Sequence, residues 1–240
     1  MQKKNTRRTL FILAVSLFVA VEIALGVALQ ITSGRTAAAC SFASVILACL
    51  FCAMFAETSA DYVLTQTALI LTVCADYFLV WSEPQIKLPA MLFFLLAQLC
   101  YAARLYHVAA PKERRTQWIF RAALSFTAVI VTVSVLRSNT DALALVSMLY
   151  YANLILNLLF SCFRFRSRTL LAIGFLLFLL CDTVIGLDLI HTYLPIPDDA
   201  LLYRIIRPGF NLAWVFYLPS QVLLALSLWP QKIACKTDKT

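Results

Sequence analysis

Long apolar stretches, separated by short polar breaks, divide the whole sequence. A helix that crosses the roughly 30 Å hydrocarbon core of a bilayer needs about 20 apolar residues. Eight stretches of about this length occur, at residues 10–30, 37–56, 62–81, 89–106, 118–136, 141–160, 169–190 and 211–229. They lack the two-residue alternation of a membrane barrel. The sequence therefore predicts an all-α, polytopic membrane protein with a bundle of about eight transmembrane helices.

Composition supports a membrane protein without a separate soluble domain. Only 13% of the 240 residues are charged and 62% are hydrophobic, whereas soluble domains carry about 25% charged residues. Glycine and proline are scarce, at 5 and 8 residues, and no stretch has the composition of a flexible linker. We therefore expect residues 1–240 to form a single transmembrane helical domain.

The net charge of +8 does not indicate a nucleic-acid partner, because most basic residues lie between or beside the apolar stretches. Lysine and arginine concentrate in short breaks and at the two ends, at residues 3–8, 112–115, 164–168 and 232–239. With alternating spans these segments all fall on one side, which the positive-inside rule assigns to the cytoplasm. The pattern predicts a multi-pass protein of the cell membrane with cytoplasmic N and C termini.

Two aspartates, Asp76 and Asp182, lie deep inside the third and seventh apolar stretches. A carboxylate near mid-bilayer costs about 2.5–3.5 kcal/mol on insertion scales, and intramembrane acids commonly mark functional sites. The two helices are predicted to be parallel, and both acids lie at nearly the same depth, with no Lys or Arg beside them. Glu22 in the first stretch lies at a similar depth. One shared polar cavity is the simplest explanation.

A weak internal repeat relates the two halves of the chain. Asp76 is followed one helix later by Gln98, and Asp182 is followed in the same way by Gln221. This spacing is compatible with a four-plus-four arrangement about an axis along the membrane normal, which would bring the two acids together. Chance similarity between apolar helices is the alternative.

Further polar residues recur at helical spacing. Tyr150, Asn153 and Asn157 share one face of the sixth helix, and Tyr217 shares a face of the eighth with Gln221. Such side chains either line a site or form hydrogen bonds between helices. The sequence has no HExxH, GxSxG or glycine-rich phosphate loop, so it predicts neither a metal nor another cofactor.

The aspartate stretches resemble those of a known family. The resemblance covers about residues 69–228 and is carried by Cys74-Ala75-Asp76 and by residues 93–106, 174–182 and 217–221. In these segments the chain is similar to the YhhN-like family, the lysoplasmalogenases, which are integral membrane hydrolases with about eight spans. The resemblance implies hydrolysis of the vinyl ether bond of a lysoplasmalogen, with Asp76 and Asp182 as the catalytic residues.

The chain departs from the family pattern at three positions. Ala75 stands where Gly is usual, Cys181 where Ser is usual, and Gln98 where a His is expected. Both acidic positions are kept. The departures are expected to alter either substrate choice or activity.

Acid catalysis suits two neighbouring carboxyl groups. A vinyl ether is hydrolysed by protonation of its outer alkene carbon, followed by attack of water on the oxocarbenium ion. Two adjacent acids in a low-dielectric site can share one proton, so one can donate it while the other stabilises the cation or orients water. The sequence leaves open which aspartate is the acid. Arg207 is expected to bind the phosphate of the lysophospholipid. Other polar residues are expected to hold water or the lysophospholipid, namely Glu22, Gln98, Tyr101, Asn153, Asn157, Tyr217 and Gln221.

Two other functions are compatible with buried acids. A proton-coupled transporter or flippase of a small lipid would use them as proton relays. A non-catalytic lipid-binding membrane protein is the third possibility, favoured if the departures from the family pattern are disabling.

Overall fold

The computed structural model describes residues 2–55, 59–163, 169–194, 197 and 201–228. These residues form helices joined by short connections. The helices are α1 (Gln2–Ile31), α2 (Gly34–Phe55), α3 (Ala60–Asp76), α4 (Lys87–His107), α5 (Pro111–Leu136), α6 (Ala142–Cys162), α7 (Thr169–Leu189), α8 (Leu201–Ile206) and α9 (Leu212–Leu226). The prediction of an all-α polytopic protein is confirmed, because seven of the described helices are long and apolar enough to cross a membrane.

The eighth predicted span corresponds to α9, which is shorter than the others. It contains 15 residues, most of them apolar, and is about 22 Å long at 1.5 Å per residue. The predicted span continued to Trp229, which lies outside the described residues, as do the basic segments 164–168 and 232–239. The short helix α8 lies in a segment that the sequence indicated only as a break between spans.

Polar side chains fix where two of the site-bearing helices begin. The Ser59 hydroxyl accepts a hydrogen bond from the Tyr62 N–H at 3.1 Å at the start of α3. At the start of α6 the Asp141 carboxyl group accepts a hydrogen bond from the Ala144 N–H at 2.7 Å. Each bond satisfies a backbone donor that the first turn of a helix leaves free.

Helix α3 changes geometry directly after its aspartate. The α-helix ends at Asp76 and continues as a π-helical turn over Tyr77–Trp81. Such turns are rare and often occur at functional sites, because they widen the helix and redirect the side chains beside them. The predicted third span is therefore present over its whole length, but its last five residues are not α-helical.

Six helices form a closed ring. Contacts run from α2 to α3, α4, α6, α7 and α9 in turn, and α9 packs back on α2. Helix α1 lies outside the ring against α2 and α9, and α5 lies outside it against α6. These two peripheral helices are the least buried of the long ones. The order of the ring helices is compatible with a four-plus-four arrangement, but the peripheral helices differ, since α1 packs on both α2 and α9 whereas α5 packs on α6.

Helices α7 and α9 approach each other closely at Gly174. A Cβ added at Gly174 would lie 3.1 Å from the Leu224 side chain and 3.3 Å from its backbone nitrogen. These distances are shorter than most Cβ contacts, so any larger residue at position 174 would require Leu224 to move. The contact holds the helix that carries Asp182 against the helix that carries Tyr217.

A buried arginine joins α3, α4 and α9 at the end of the ring away from the π-helical turn. The Arg104 side chain is fully buried and donates to the Ser227 hydroxyl at 2.7 Å and to the Ser227 carbonyl at 3.2 Å. Its Nε lies 3.7 Å from an Asp61 carboxyl oxygen. The charge of Arg104 is thereby compensated within the protein, as a buried guanidinium requires.

Candidate active site

A cavity of about 470 Å³ opens at the end of the bundle where α3, α5 and α7 end and α4, α6 and α9 begin. Its wall is mostly apolar, with a few polar groups that converge on one region. That composition is typical of small-molecule sites in proteins, which occupy about 300–1,000 Å³. The polar and charged residues among those described in its lining are Asp76, Lys87, Thr132, Ser147, Tyr150, Tyr151, Asp182, Thr183, Tyr193 and Tyr217.

Both predicted catalytic aspartates line this cavity. Asp76 lies at the C-terminal end of α3 and is only 2% exposed, and Asp182 lies two turns before the end of α7. In the described part of the chain neither forms an ion pair with a basic residue. The structure thus brings the two acids together, as a shared cavity requires.

Each carboxyl group accepts a hydrogen bond from a buried tyrosine on another helix. The Tyr217 hydroxyl of α9 donates to Asp76 Oδ2 at 2.6 Å. The Tyr150 hydroxyl of α6 donates to Asp182 Oδ2. Both tyrosines also line the cavity. Each acid is therefore held in a fixed orientation by a partner whose ring is itself packed in the core.

Phe178 lies between the two tyrosines. Its ring packs edge-on against Tyr150 at 6.4 Å and against Tyr217 at 5.6 Å between centroids. Phe94 and Trp214 extend the cluster on either side, at 5.7 Å from Tyr150 and 5.4 Å from Tyr217. This continuous aromatic packing fixes the positions of the two hydroxyls relative to each other.

Two of the departures from the family pattern lie beside the acids. Ala75 is completely buried next to Asp76, and Cys181 lines the cavity next to Asp182 with 1% of its surface exposed. At position 181 the cavity wall carries a thiol, which is less polar than the hydroxyl that a serine would place there.

The mouth of the cavity carries a basic residue that the sequence did not single out. Lys87, the first residue of α4, is the only Lys or Arg among the described lining residues. Across the mouth, the Tyr193 hydroxyl lies 3.3 Å from both Asp141 carboxyl oxygens. Burial and the facing Asp141 raise the pKa of Tyr193, so its hydroxyl stays a neutral donor.

Three other predicted residues form a separate polar network with an arginine. Arg121 of α5 donates to Asn153 Oδ1 at 3.0 Å and to Asn157 Oδ1 at 2.7 Å. The Asn157 amide then donates to the backbone and side-chain oxygens of Gln98, both at 2.9 Å. This network joins α4, α5 and α6, and its residues are not among those that line the cavity.

Tyr101 and Gln221 are also buried in the ring but outside the cavity wall. The Tyr101 hydroxyl, Gln221 Oε1 and Gln98 Nε2 have no hydrogen-bond partner within the part of the chain that the structure describes. Buried polar atoms of this kind are usual positions for internal water.

Glu22 and Arg207 lie away from the aspartates. The Glu22 carboxyl accepts a hydrogen bond from the Ser44 hydroxyl and borders a different groove, between α1 and α9. Arg207 pairs with Asp188 at 2.6 Å and lies over the Tyr203 ring. Neither residue is in the described lining of the aspartate cavity. Their roles in substrate binding stay predictions.

Sequence reasoning overlooked the roles of Tyr150, Lys87 and Arg121. Tyr150 was visible as part of a polar face on α6, but the sequence did not show which neighbouring helix that face meets. Lys87 looked like an ordinary charge between two spans. Arg121 looked like a residue of the helix end, whereas its guanidinium reaches two asparagines of α6.

The arrangement can transfer a proton within an apolar cavity. It offers two carboxyl groups, two hydroxyl donors and one basic group in the lining of one cavity. No cluster of three His, Cys, Asp or Glu side chains that could hold a metal ion occurs among the residues described.

Comparison with known proteins gives one match. The model of the YhhN family matches residues 36–228, a segment that begins in α2 and includes both aspartates. No curated protein and no solved structure matches the chain.

Proposed function

The chain belongs to the YhhN family, and from this premise we propose that it hydrolyses the vinyl ether bond of lysoplasmalogen-type lysophospholipids in the cell membrane. The observation that carries the proposal is the pair of aspartates, each held by a tyrosine hydroxyl, in one apolar cavity. The products are a fatty aldehyde and a glycerophospho-alcohol.

The reaction consumes one water and needs no other reactant. One carboxyl group gives its proton to the outer alkene carbon, and the electrons of the double bond form the new C–H bond. The remaining cation is shared between the inner carbon and the ether oxygen, and the second carboxyl group stabilises it. Water adds to the inner carbon and loses a proton to a carboxylate, which restores the carboxylic acid. That acid protonates the glycerol oxygen as its bond to the hemiacetal carbon breaks, and the hemiacetal hydroxyl gives its proton to the other carboxylate as the aldehyde C=O forms.

The tyrosines support this step in two ways. Each hydroxyl fixes the rotamer of its aspartate, and each stabilises the negative charge that appears when that aspartate has given up its proton. Because Tyr150 and Tyr217 are joined through Phe178, the two carboxyl groups keep their separation during the reaction. The tyrosine hydroxyls thus stabilise a negative charge that develops on an aspartate only during the reaction.

The cavity also fits the two ends of the proposed substrate. Its apolar lining suits an alkenyl chain, and Lys87 at the mouth suits a phosphate. We assign Lys87 the phosphate contact that the sequence had suggested for Arg207, because Arg207 is already paired with Asp188. The other residues expected to bind substrate lie outside the cavity lining and support the helices that form it; they are Glu22, Gln98, Tyr101, Asn153, Asn157 and Gln221.

The decisive experiment compares a lysoplasmalogen with its saturated alkyl-ether analogue, using purified protein in detergent. We expect aldehyde from the first substrate only. Asp76→Asn and Asp182→Asn should each lower the rate by about 10²–10⁴, the usual contribution of general acid–base catalysis. Asp188→Asn, an exposed acid paired with Arg207, is the matched control and should retain activity. Aldehyde release that survives both cavity substitutions would refute the proposal.

A lipid transporter is the second candidate, and one observation favours it. The α-helical part of α3 ends at Asp76 in a π-helical turn, and Pro219 interrupts α9 close to Tyr217. Interrupted helices beside buried acids occur at transporter sites. Uptake of a labelled lysophospholipid into sealed vesicles without aldehyde formation would support this function instead.

A further inference from the structure

A second groove, of about 480 Å³, lies between α1 and α9. Its described lining runs from Val19 to Gln30 on α1, about 17 Å at 1.5 Å per residue. Nearly all of this lining is aliphatic or aromatic, and it contains no Lys or Arg. The Gln30 side chain is occupied by hydrogen bonds with the Asn211 backbone at 3.0 and 2.9 Å. The charged residue of the groove is Glu22.

Glu22 has one carboxyl oxygen in use and one free. Oε2 accepts the hydrogen bond from the Ser44 hydroxyl. Oε1 is buried and has no hydrogen-bond partner among the described residues, and the whole side chain is only 4% exposed. A buried acceptor left in this state requires a donor that the described chain does not supply.

The groove is open to the lipid phase from the side. Ile23 and Val27 border it and are 63% and 57% exposed. On a peripheral helix such side chains face acyl chains of the bilayer. A molecule dissolved in the membrane can therefore enter the groove that Glu22 borders without passing through the ring.

We propose that this groove is a binding site for an uncharged single-chain lipid alcohol. The hydroxyl group donates to Glu22 Oε1, and the alkyl chain lies along the apolar walls of α1 and α9. The absence of basic residues from the described lining selects against a phosphate head group. An alcohol suits the acceptor, and it costs less to move into an apolar groove than a charged head group.

This site is separate from the aspartate cavity and does not depend on the proposed hydrolase activity. Glu22 lines only the groove, and the aspartates line only the cavity. Trp214 borders both, and is the shared wall between them. Residues 2–31, which form α1, also lie outside the segment that matches the YhhN family.

The test uses photolabelling of the full chain in lipid nanodiscs. The probe is a long-chain primary alcohol with a diazirine at the far end of its chain. The controls are the matching methyl ether and primary amine. We expect the alcohol to label peptides from α1 and α9 about tenfold more than the methyl ether does, as one hydrogen bond of about 1.4 kcal/mol predicts. Excess free alcohol or monoacylglycerol should compete, and a lysophospholipid should not.

Three variants separate the parts of the site. Glu22→Leu should reduce alcohol labelling to the level of the methyl ether. Gly26→Leu places a side chain in the groove beside Leu218 and should reduce labelling by both probes. Ser44→Ala keeps the Glu22 acceptor and should keep the preference for the alcohol.

Several outcomes would overturn the proposal. Equal labelling by alcohol and methyl ether would show that Glu22 does not bind the hydroxyl. Stronger labelling by the amine would show a cation site, and competition by lysophospholipid would show that charged head groups enter. Unchanged labelling in Glu22→Leu would place the probe elsewhere. None of these results bears on aldehyde release, so this proposal and the hydrolase proposal can fail separately.

Discussion

Removing the hydroxyl of Tyr217 provides the sharpest test of how the aspartates are held. This hydroxyl donates to Asp76 Oδ2 at 2.6 Å, and the residue is only 3% exposed. Tyr217→Phe keeps the ring that packs on Phe178 and Trp214. The substitution therefore deletes one hydrogen bond and leaves the packing in place, with little room for water to replace the lost group.

The size of the effect follows from the kind of bond. A hydrogen bond to a charged group contributes about 1.5–3 kcal/mol, and about 1.36 kcal/mol corresponds to a tenfold change in rate. If Tyr217 stabilises the charge on Asp76 during catalysis, kcat/KM for a lysoplasmalogen should fall by about 10- to 150-fold. The measurement is the initial rate of aldehyde release over a range of substrate concentrations. Tyr150→Phe should act similarly through Asp182.

Tyr151→Phe is the matched control. The Tyr151 hydroxyl lines the same cavity but bonds to the Thr183 hydroxyl at 2.7 Å, not to an acid. It should change kcat/KM by less than about threefold, because a neutral bond at the cavity wall contributes about 0.5–1.5 kcal/mol and mainly to folding. If Tyr151→Phe and Tyr217→Phe have equal effects, or if Tyr217→Phe has none, the assigned role of the tyrosine–aspartate bonds is wrong.

Three further predictions concern binding and stability. Lys87→Gln should raise KM for a lysoplasmalogen by about tenfold with little change in kcat, and should not affect an alkenyl glycerol that lacks the phosphate. Gly174→Ala should destabilise the protein by about 1–3 kcal/mol through overpacking. Gly186→Ala should stabilise it by about 0.5–1 kcal/mol, because a Cβ there meets nothing within 4 Å. Thermal unfolding in detergent measures both. In the same assay Arg104→Met should cost about 3–5 kcal/mol, and the exposed Arg35→Met less than about 1 kcal/mol.

The positions of the helices and the pairing of the aspartates could be predicted because both depend on simple periodic signals. Long apolar stretches gave the spans, and equal depth on parallel helices placed Asp76 and Asp182 at one level. The structure confirms the all-α membrane fold and places both acids in one cavity. The depth of a residue in the membrane follows from its distance along the sequence from the start of its span, so it can be predicted directly.

The rotation of each helix could not be predicted in the same way. Glu22 shares the depth of the aspartates, yet α1 lies outside the ring and turns its carboxyl toward α2 and α9. Likewise, the polar face of α6 divides between two partners, since Tyr150 meets Asp182 while Asn157 meets Arg121 and Gln98. The π-helical turn after Asp76 has no Gly or Pro that would have signalled it.

The peripheral position of α1 also bears on the direction of the whole chain. If the seven long helices and α9 each cross the membrane, the part of the chain from α2 to α9 makes seven crossings, so its two ends lie on opposite sides. With α1, the number is even and both ends share a side. A helix that adds nothing to the ring thus decides on which face of the bilayer the chain begins, and a chain without α1 would begin on the other face while the cavity walls stay complete.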